Sequence, residues 1–367
     1  MAGSSFGTIF RITTWGESHG AGIGVVVDGC PAGVSLTDED IQIYLNRRKP
    51  GQSRFSTPRK EDDKVRILSG VFEGRTTGTP ISLVVENNTQ RSSDYSEIAS
   101  YYRPGHADYT FDEKYGFRDY RGGGRSSGRE TIGRVAAGAI AAKVLSELGI
   151  EVFAYTKSIG DVSISMDNFD RDEIFNNMIY MPDKDAAVKA EKLIDDMRND
   201  LDSIGGVVEC TVKNMITGAG EPVFDKLDAN LAKAIVSIGA VKAFEIGNGT
   251  EASKSAGSSN NDSFACDENG HIYKKTNNSG GTLGGISDGS DIVIRAHFKP
   301  TPSIFKEQQT VNKNGENISI NIKGRHDPVI VPRAVVVVEA MTAITVLDMI
   351  LLSMSSSVDK IKKVLGK

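Results

Sequence analysis

The sequence predicts a mixed α/β protein, on three observations. Short valine-rich runs such as GVVVDGC (24–30) and GGVVEC (205–210) read as buried strands. An alanine-rich stretch, Thr131 to Leu148, reads as a buried helix ending at Gly149. Between these runs lie polar, glycine-marked turns, and the chain holds 39 glycines in 367 residues.

Taken in order, Phe6–Thr14 and Gly24–Asp28 read as strands. Thr37 stands where an N-cap belongs, with Asp38, Glu39 and Asp40 in the first turn, where the helix dipole favours acids. That helix should stop near Arg48, before Pro50–Gly51. Val65–Leu68 and Ile81–Val85 are short β-type runs, and Arg103 to Glu130 reads as a long polar loop. In the second half, strands are expected at Glu151–Tyr155, Gly206–Val212, Val241–Ile246 and Ile292–His297. Helices are expected at Asp185–Asn199, Asp228–Ser237 and Val338–Met354. Residues 247–290 read mostly as loop, a size that usually serves function or motion. The two valine runs, each before an acid-headed helix, also suggest a duplicated unit over about 6–150 and 151–355.

Composition excludes several classes. With 39% hydrophobic and 25% charged residues the chain can bury a substantial core. A net charge of -5 argues against nucleic acid as the general partner. Three scattered cysteines, Cys30, Cys210 and Cys266, with no CxxC, offer neither a disulfide framework nor a zinc site. No signal peptide opens the sequence, so a cytoplasmic protein is expected. The most apolar stretch, Ala334 to Leu352, contains Glu339 and Asp348. Each would cost about 2.5–3.5 kcal/mol at a bilayer centre, which favours a buried helix over a membrane span.

Three motifs mislead. GESHG (16–20) matches the G-x-S-x-G nucleophile elbow, yet the residues after it are strand-like rather than helical, so Ser18 is a poor nucleophile. GAGIG (20–24) lacks the helix that a dinucleotide loop must open. RGGGR (121–125) occurs once, whereas RNA-binding RGG tracts repeat in disordered tails.

Local chemistry is more informative. Basic residues concentrate at Arg47, Arg48, Lys49, Arg54, Arg59 and Lys60, and again at Arg118, Arg121, Arg125, Arg129 and Arg134. On an acidic chain these islands suggest small anionic ligands held at defined places. RGGGRSSGRET (121–131) joins close-approach glycines, hydroxyls, planar cations and a helix N-terminus, a combination suited to a phosphate. His19, His106 and His326 sit in glycine- or proline-marked turns that fix a titratable ring, as acid–base chemistry requires, whereas His271 and His297 lack such settings. KPTPS (299–303) is a stiff extended segment that holds a lysine and two hydroxyls.

The order of these motifs is distinctive. FGTIFRITTWGESHGAGIGVVVDGCPAGV, RRKPGQS, RPGHAD, RGGGRSSGRET, AVKAFEIG, GGTLGGISDG, KPTPS and KGRHDP resemble the chorismate synthase family in sequence and in position, over about residues 6 to 355. The departures are small. Ala243 stands where the family has glycine, the run after Pro332 is valine-rich, and MAGSS does not match.

The resemblance implies a β-α-β sandwich with helices packed between sheets, a single domain over 1–367, and a homotetramer. It implies a lyase of aromatic amino acid biosynthesis that forms chorismate from 5-enolpyruvylshikimate 3-phosphate, by anti-1,4 elimination of phosphate with reduced FMN. By the same resemblance His19 donates a proton to the departing phosphate and His106 protonates or stabilises the reduced flavin. Asp327 is the base that, through flavin nitrogen 5, assists loss of the ring hydrogen. Flavin contacts map to Arg125, Ser126, Ser127, Gly239, Ala240, Gly284, Lys299, Pro300, Thr301, Pro302, Ser303 and Arg325. Arg48 and Arg54 map to the substrate or nicotinamide side, and Arg129 and Arg134 join them on charge. NADPH enters as an indirect reductant, through an external flavin reductase. The competing readings are a flavin reductase or nicotinamide oxidoreductase, which would consume NADPH without the shikimate substrate, and an RNA-binding module.

Overall fold

A computed structural model describes residues 3–51, 54–55, 62–87, 97–322 and 327–367. Two five-stranded sheets organise the chain. The first has the order β1-β2-β3-β7-β4, built from β1 (Ser5–Phe6), β2 (Arg11–Gly16), β3 (Gly22–Asp28), β4 (Val65–Ile67) and β7 (Ile81–Glu86). A small hairpin, β5 (Val71–Phe72) and β6 (Arg75–Thr76), lies between β4 and β7 in the chain. The second sheet, with order β11-β16-β10-β8-β9, uses β8 (Glu151–Ile159), β9 (Val162–Ser163), β10 (Gly206–Lys213), β11 (Val241–Ile246) and β16 (Ile292–Phe298). All these pairings are antiparallel, with Ile23 opposite Val85 in one sheet and Cys210 opposite Ile294 in the other. The two valine runs became β3 and β10, each the middle strand of its sheet.

Helices fill the space between the sheets. α3 (Thr131–Glu147) packs on β2 and β3, while α7 (Val331–Ser353) packs on β8 and β10, and the two helices pack on each other. Gly138 permits that crossing, because a Cβ there would stand 2.2 Å from the Cβ of Ala340. α1 (Asp38–Arg48) lies against α3, α7 and β4, and α5 (Leu227–Val236) lies against α7 and β11. The expected β-α-β sandwich is therefore the observed one. Of the other helices, α2 is Asp108–Tyr115, α4 Lys184–Asn199, α6 Gly257–Asn260 and α8 Val358–Val364.

Four expectations are corrected. The strand expected over Phe6–Thr14 is broken into β1 and β2, because Gly7 turns the chain at φ 89°. The Asp348 carboxylate accepts the freed backbone N–H groups of Thr8, Ile9 and Phe10 at 2.8, 2.7 and 2.9 Å. The helix expected from Val338 begins at Val331, because a proline in the first turn forfeits no hydrogen bond and Pro332 starts it rather than stopping it. The polar loop 103–130 contains α2, which Gly116 ends in a left-handed turn. Finally, residues 247–290 carry two hairpins, β12 (Phe264–Cys266) with β13 (Ile272–Lys274) and β14 (Thr282–Leu283) with β15 (Ile286–Ser287). A further hairpin, β17 (Gln308–Val311) with β18 (Asn317–Ile320), follows KPTPS.

Among the described residues α7 is the one helix long and apolar enough to cross a membrane, and 89% of its most apolar window is buried inside the protein. Its acids explain how. Glu339 takes Arg47 in a two-point ion pair at 2.8 and 2.9 Å, so neither of the helix's carboxylates lacks a partner.

Candidate active site

The end of α1 supplies Arg48, a guanidinium with 1% of its side chain exposed, against an equally buried Asp63. Arg48 also donates to the Gly128 carbonyl at 3.2 Å, which anchors it to the 121–131 loop. The other oxygen of Asp63 accepts from Arg129 at 3.2 Å, so one carboxylate joins two arginines from different elements. Burial lowers the pKa of Arg48, and Asp63 opposes that shift. Its Nε is buried with no hydrogen-bond partner among the described residues.

His19 approaches the same group. Its turn follows β2, and Asn87 donates to the Glu17 and Gly20 carbonyls on either side of it, both at 2.9 Å. Asn87 also accepts from Arg129, at 3.1 and 2.7 Å. The Ser18 hydroxyl lies 3.1 Å from His19 Nδ1. Gly122, at φ 151°, closes over the ring, where a Cβ would come within 2.4 Å of Nδ1. Asp119, held low chiefly by its Arg121 hydrogen bond, also feels His19. Asp327 joins from the far end of the chain, because Arg333 pairs with it at 2.7 Å and donates to the Arg48 carbonyl at 3.1 Å.

A second group forms around His106. Its Nδ1 lies 3.0 Å from the Pro104 carbonyl, which can only accept, so Nδ1 carries the proton and Nε2 accepts from the Ser303 hydroxyl at 3.0 Å. Burial and then the Arg103 charge push this imidazole down to about 4, so the ring is neutral at pH 7. RPGHAD and KPTPS are thereby one structure: Lys299 donates to the Gly105 carbonyl at 3.0 Å. The backbone N–H of Lys299 donates to the Ala240 carbonyl at 3.0 Å, which places the Gly239–Ala240 turn alongside, with Ala240 at a left-handed φ of 73°. Ser203 bonds the Thr301 carbonyl at 2.7 Å, and its neighbour Ile204 bonds the Pro328 carbonyl at 2.9 Å, which links this group to the Asp327 segment.

Several other expected residues stand apart from these groups. Arg125 is turned back onto β2, donating to the carbonyls of Gly16 and Thr14 at 3.0 and 3.2 Å. Ser126 bonds the Gly123 carbonyl at 2.7 Å, and Ser127 caps the turn at Arg129. Arg134 pairs with Glu130 at 2.8 Å and lines a small cavity with Lys233, Ser237 and Phe6. Exposed Arg54 pairs with Glu191 and Asp195 of α4 at 3.1 and 3.5 Å. Gly284 forms the β14–β15 turn and Pro300 and Pro302 stiffen the KPTPS edge, while Arg325 and His326 lie outside the described residues. Sequence reasoning missed Asp63, Asn87, Lys242 and Arg333. Asp63 was hidden in the acidic run EDD, and Asn87 carries no motif at all.

The KPTPS edge fits a flavin mononucleotide on its donor chemistry. The Thr301 hydroxyl is buried with no hydrogen-bond partner among the described residues, a polar group that a bound ligand or water could satisfy. Burial and the charge of Lys242 lower the pKa of Lys299, and among the described residues neither lysine is ion-paired.

Fold and site thus define a mixed α/β protein with clustered arginines and with histidines fixed in polar turns. The chain belongs to the chorismate synthase family, whose model matches residues 10–351. It is 68% identical over 367 residues to the chorismate synthase of Lachnoclostridium phytofermentans, covering 100% of both chains. It is 54% identical over 352 residues to that of Gloeothece citriformis, covering 95% of this chain and 97% of the relative. A crystal structure of a chorismate synthase superposes with a TM-score of 0.75 at 31% identity, covering 98% of this chain and 97% of that one.

Proposed function

We propose that this chain is a carbon–oxygen lyase that converts 5-enolpyruvylshikimate 3-phosphate to chorismate and phosphate by anti-1,4 elimination, using reduced FMN. This is the final step of the shikimate pathway. The observation that supports it most is the Arg48–Asp63–Arg129–Asn87 chain, which connects two guanidinium groups to the His19 turn, while Arg333 bridges Asp327 to the Arg48 carbonyl. A substrate with one phosphate and two carboxylates needs such fixed planar cations.

In this reading Arg48 and Arg129 hold the anionic groups. His19 gives a proton to the departing phosphate. Asp327, oriented by Arg333, assists removal of the ring hydrogen. When bound, reduced FMN lends electron density as phosphate departs. His106, Lys299 to Ser303 and the Gly239–Ala240 turn hold the cofactor edge, with Ser126, Ser127, Gly284 and Arg325 as further contacts. Arg54, Arg125 and Arg134 are engaged elsewhere, and the reading does not depend on them. It treats residues 1–367 as one domain, in a cytoplasmic homotetramer whose flavin is reduced by an external NADPH-dependent reductase.

The test is anaerobic turnover of 5-enolpyruvylshikimate 3-phosphate with and without pre-reduced FMN. One phosphate should appear per chorismate formed. Equal turnover without flavin, or steady NADPH consumption in the absence of the shikimate substrate, would refute the lyase reading.

A further inference from the structure

The turn that carries His19 is gripped by one side chain that no motif singles out. Asn87 follows β7, and its backbone N–H donates to the Ala21 carbonyl at 3.1 Å. Its Nδ2 donates to the Glu17 and Gly20 carbonyls, both at 2.9 Å, which bracket Ser18 and His19. The Gly20 N–H closes the same turn onto the Glu17 carbonyl at 3.1 Å. On its other side, Asn87 Oδ1 accepts from Arg129 Nε and Nη2 at 3.1 and 2.7 Å.

These partners fix which way the amide faces. Carbonyls can only accept and a guanidinium can only donate, so the NH2 must face the turn and the oxygen must face Arg129. Both donor hydrogens and the acceptor are thereby in use. An aspartate would keep the Arg129 contact but set an oxygen against two carbonyls, and an alanine would lose both contacts. Other groups constrain the ring and the guanidinium separately: Gly122 and Ser18 confine His19, and Asp63 holds Arg129 at 3.2 Å. Among the described residues, Asn87 ties one to the other.

We propose that Asn87 is a positioning residue that sets the His19 turn against Arg129, so that proton donor and anion-holding cation keep one geometry. The proposal rests on the lyase reading for what His19 does. A misplacement of about 1 Å at a reacting group costs on the order of 10²-fold in rate, which is the scale expected here.

The experiment compares Asn87→Asp, Asn87→Ala, His19→Ala and the double variant Asn87→Asp/His19→Ala. Asn87→Asp should lower kcat about 10–100-fold while KM for the shikimate phosphate moves less than about threefold, because Arg129 keeps its acceptor. Asn87→Ala should lower kcat similarly and also raise KM by about tenfold. In the His19→Ala background, Asn87→Asp should change the residual kcat by less than about twofold, since both act through one ring. A second readout needs neither substrate nor cofactor. With carbon-13-labelled histidine, the His19 signal, recognised by its loss in His19→Ala, should shift in Asn87→Asp while that of exposed His271 stays. If His19→Ala is impaired but folded Asn87→Asp keeps wild-type kcat and an unmoved His19 signal, the Asn87 proposal alone falls. If His19→Ala turns over fully while Asn87→Asp still shifts the signal, the lyase role of His19 falls and the coupling of Asn87 to the ring stands.

Discussion

Asp63→Asn isolates the charge that holds the arginine pair together. Asp63 lies at φ 44°, and asparagine tolerates that left-handed backbone as well as aspartate does, so the substitution leaves conformation aside. The Arg48 and Asp63 side chains are each 1% exposed, so water cannot replace the lost partner. Removing one member of a buried ion pair costs about 3–5 kcal/mol, because the remaining charge stays desolvated. Here Arg48 keeps the Gly128 carbonyl at 3.2 Å and Arg129 keeps Asn87, which places the expected loss near the low end, about 3 kcal/mol. Urea unfolding reads it as a lower midpoint with an unchanged slope. The variant also leaves two guanidinium groups without their shared carboxylate, so inorganic phosphate should stabilise it more than wild type. At about 100 times its Kd that recovery approaches about 2.7 kcal/mol. A loss below about 0.5 kcal/mol, an ordinary surface effect, would refute the reasoning.

Two further outcomes concern buried charge. Lys274, 2% exposed, forms an ion pair with Asp288 at 2.7 Å and donates to Asp262 at 3.2 Å and Ser279 at 2.6 Å, so Lys274→Met should cost about 3–5 kcal/mol and admit limited proteolysis within 247–290; an unchanged digest would show that the ammonium does not lock this segment. His106 is pushed from 6.5 down to about 4, so between those values the unfolded chain binds a proton that the folded chain refuses, and stability present above pH 6.5 is lost as pH falls through 4. Relative to His106→Asn, wild type should lose up to about 3 kcal/mol between pH 7 and pH 4, and parallel curves would show that the ring is not held neutral.

Local patterns carried much of the architecture. Thr37 and Asp40 form the capping box that the acid-headed pattern suggested, and β11 runs over Val241–Ile246 as the sequence implies. What escaped is set by distant partners. α2, DYTFDEKY, has little helical signal of its own, and ion pairs from Arg103 to Asp108 and from Arg118 to Asp112 hold it. The break between β1 and β2 depends on Asp348, more than 300 residues away in the chain. At the site, glycine and proline around the histidines were visible, because turn chemistry is local. Asp63 and Asn87 were not, because only folding gives Asp63 two arginines, and Asn87 a turn and a guanidinium.

The arrangement of charge reflects what a polyanion requires. Arg48 and Arg129 would be cheaper to keep solvated, since a buried ion pair rarely repays its desolvation against an apolar substitute. Stability therefore does not account for their burial. A free surface arginine samples many rotamers and must be immobilised when an anion binds, at about 0.5–1.5 kcal/mol each. Asp63 already holds Arg48 and Arg129, and Asn87 bonds both the second of them and the His19 turn. In the proposed reading the ordering cost falls on folding rather than on the reaction, and an Arg48 donor unpaired among the described residues remains for the ligand. The same logic explains why the histidines lie on short polar turns while the carboxylates that orient their neighbours lie buried behind them.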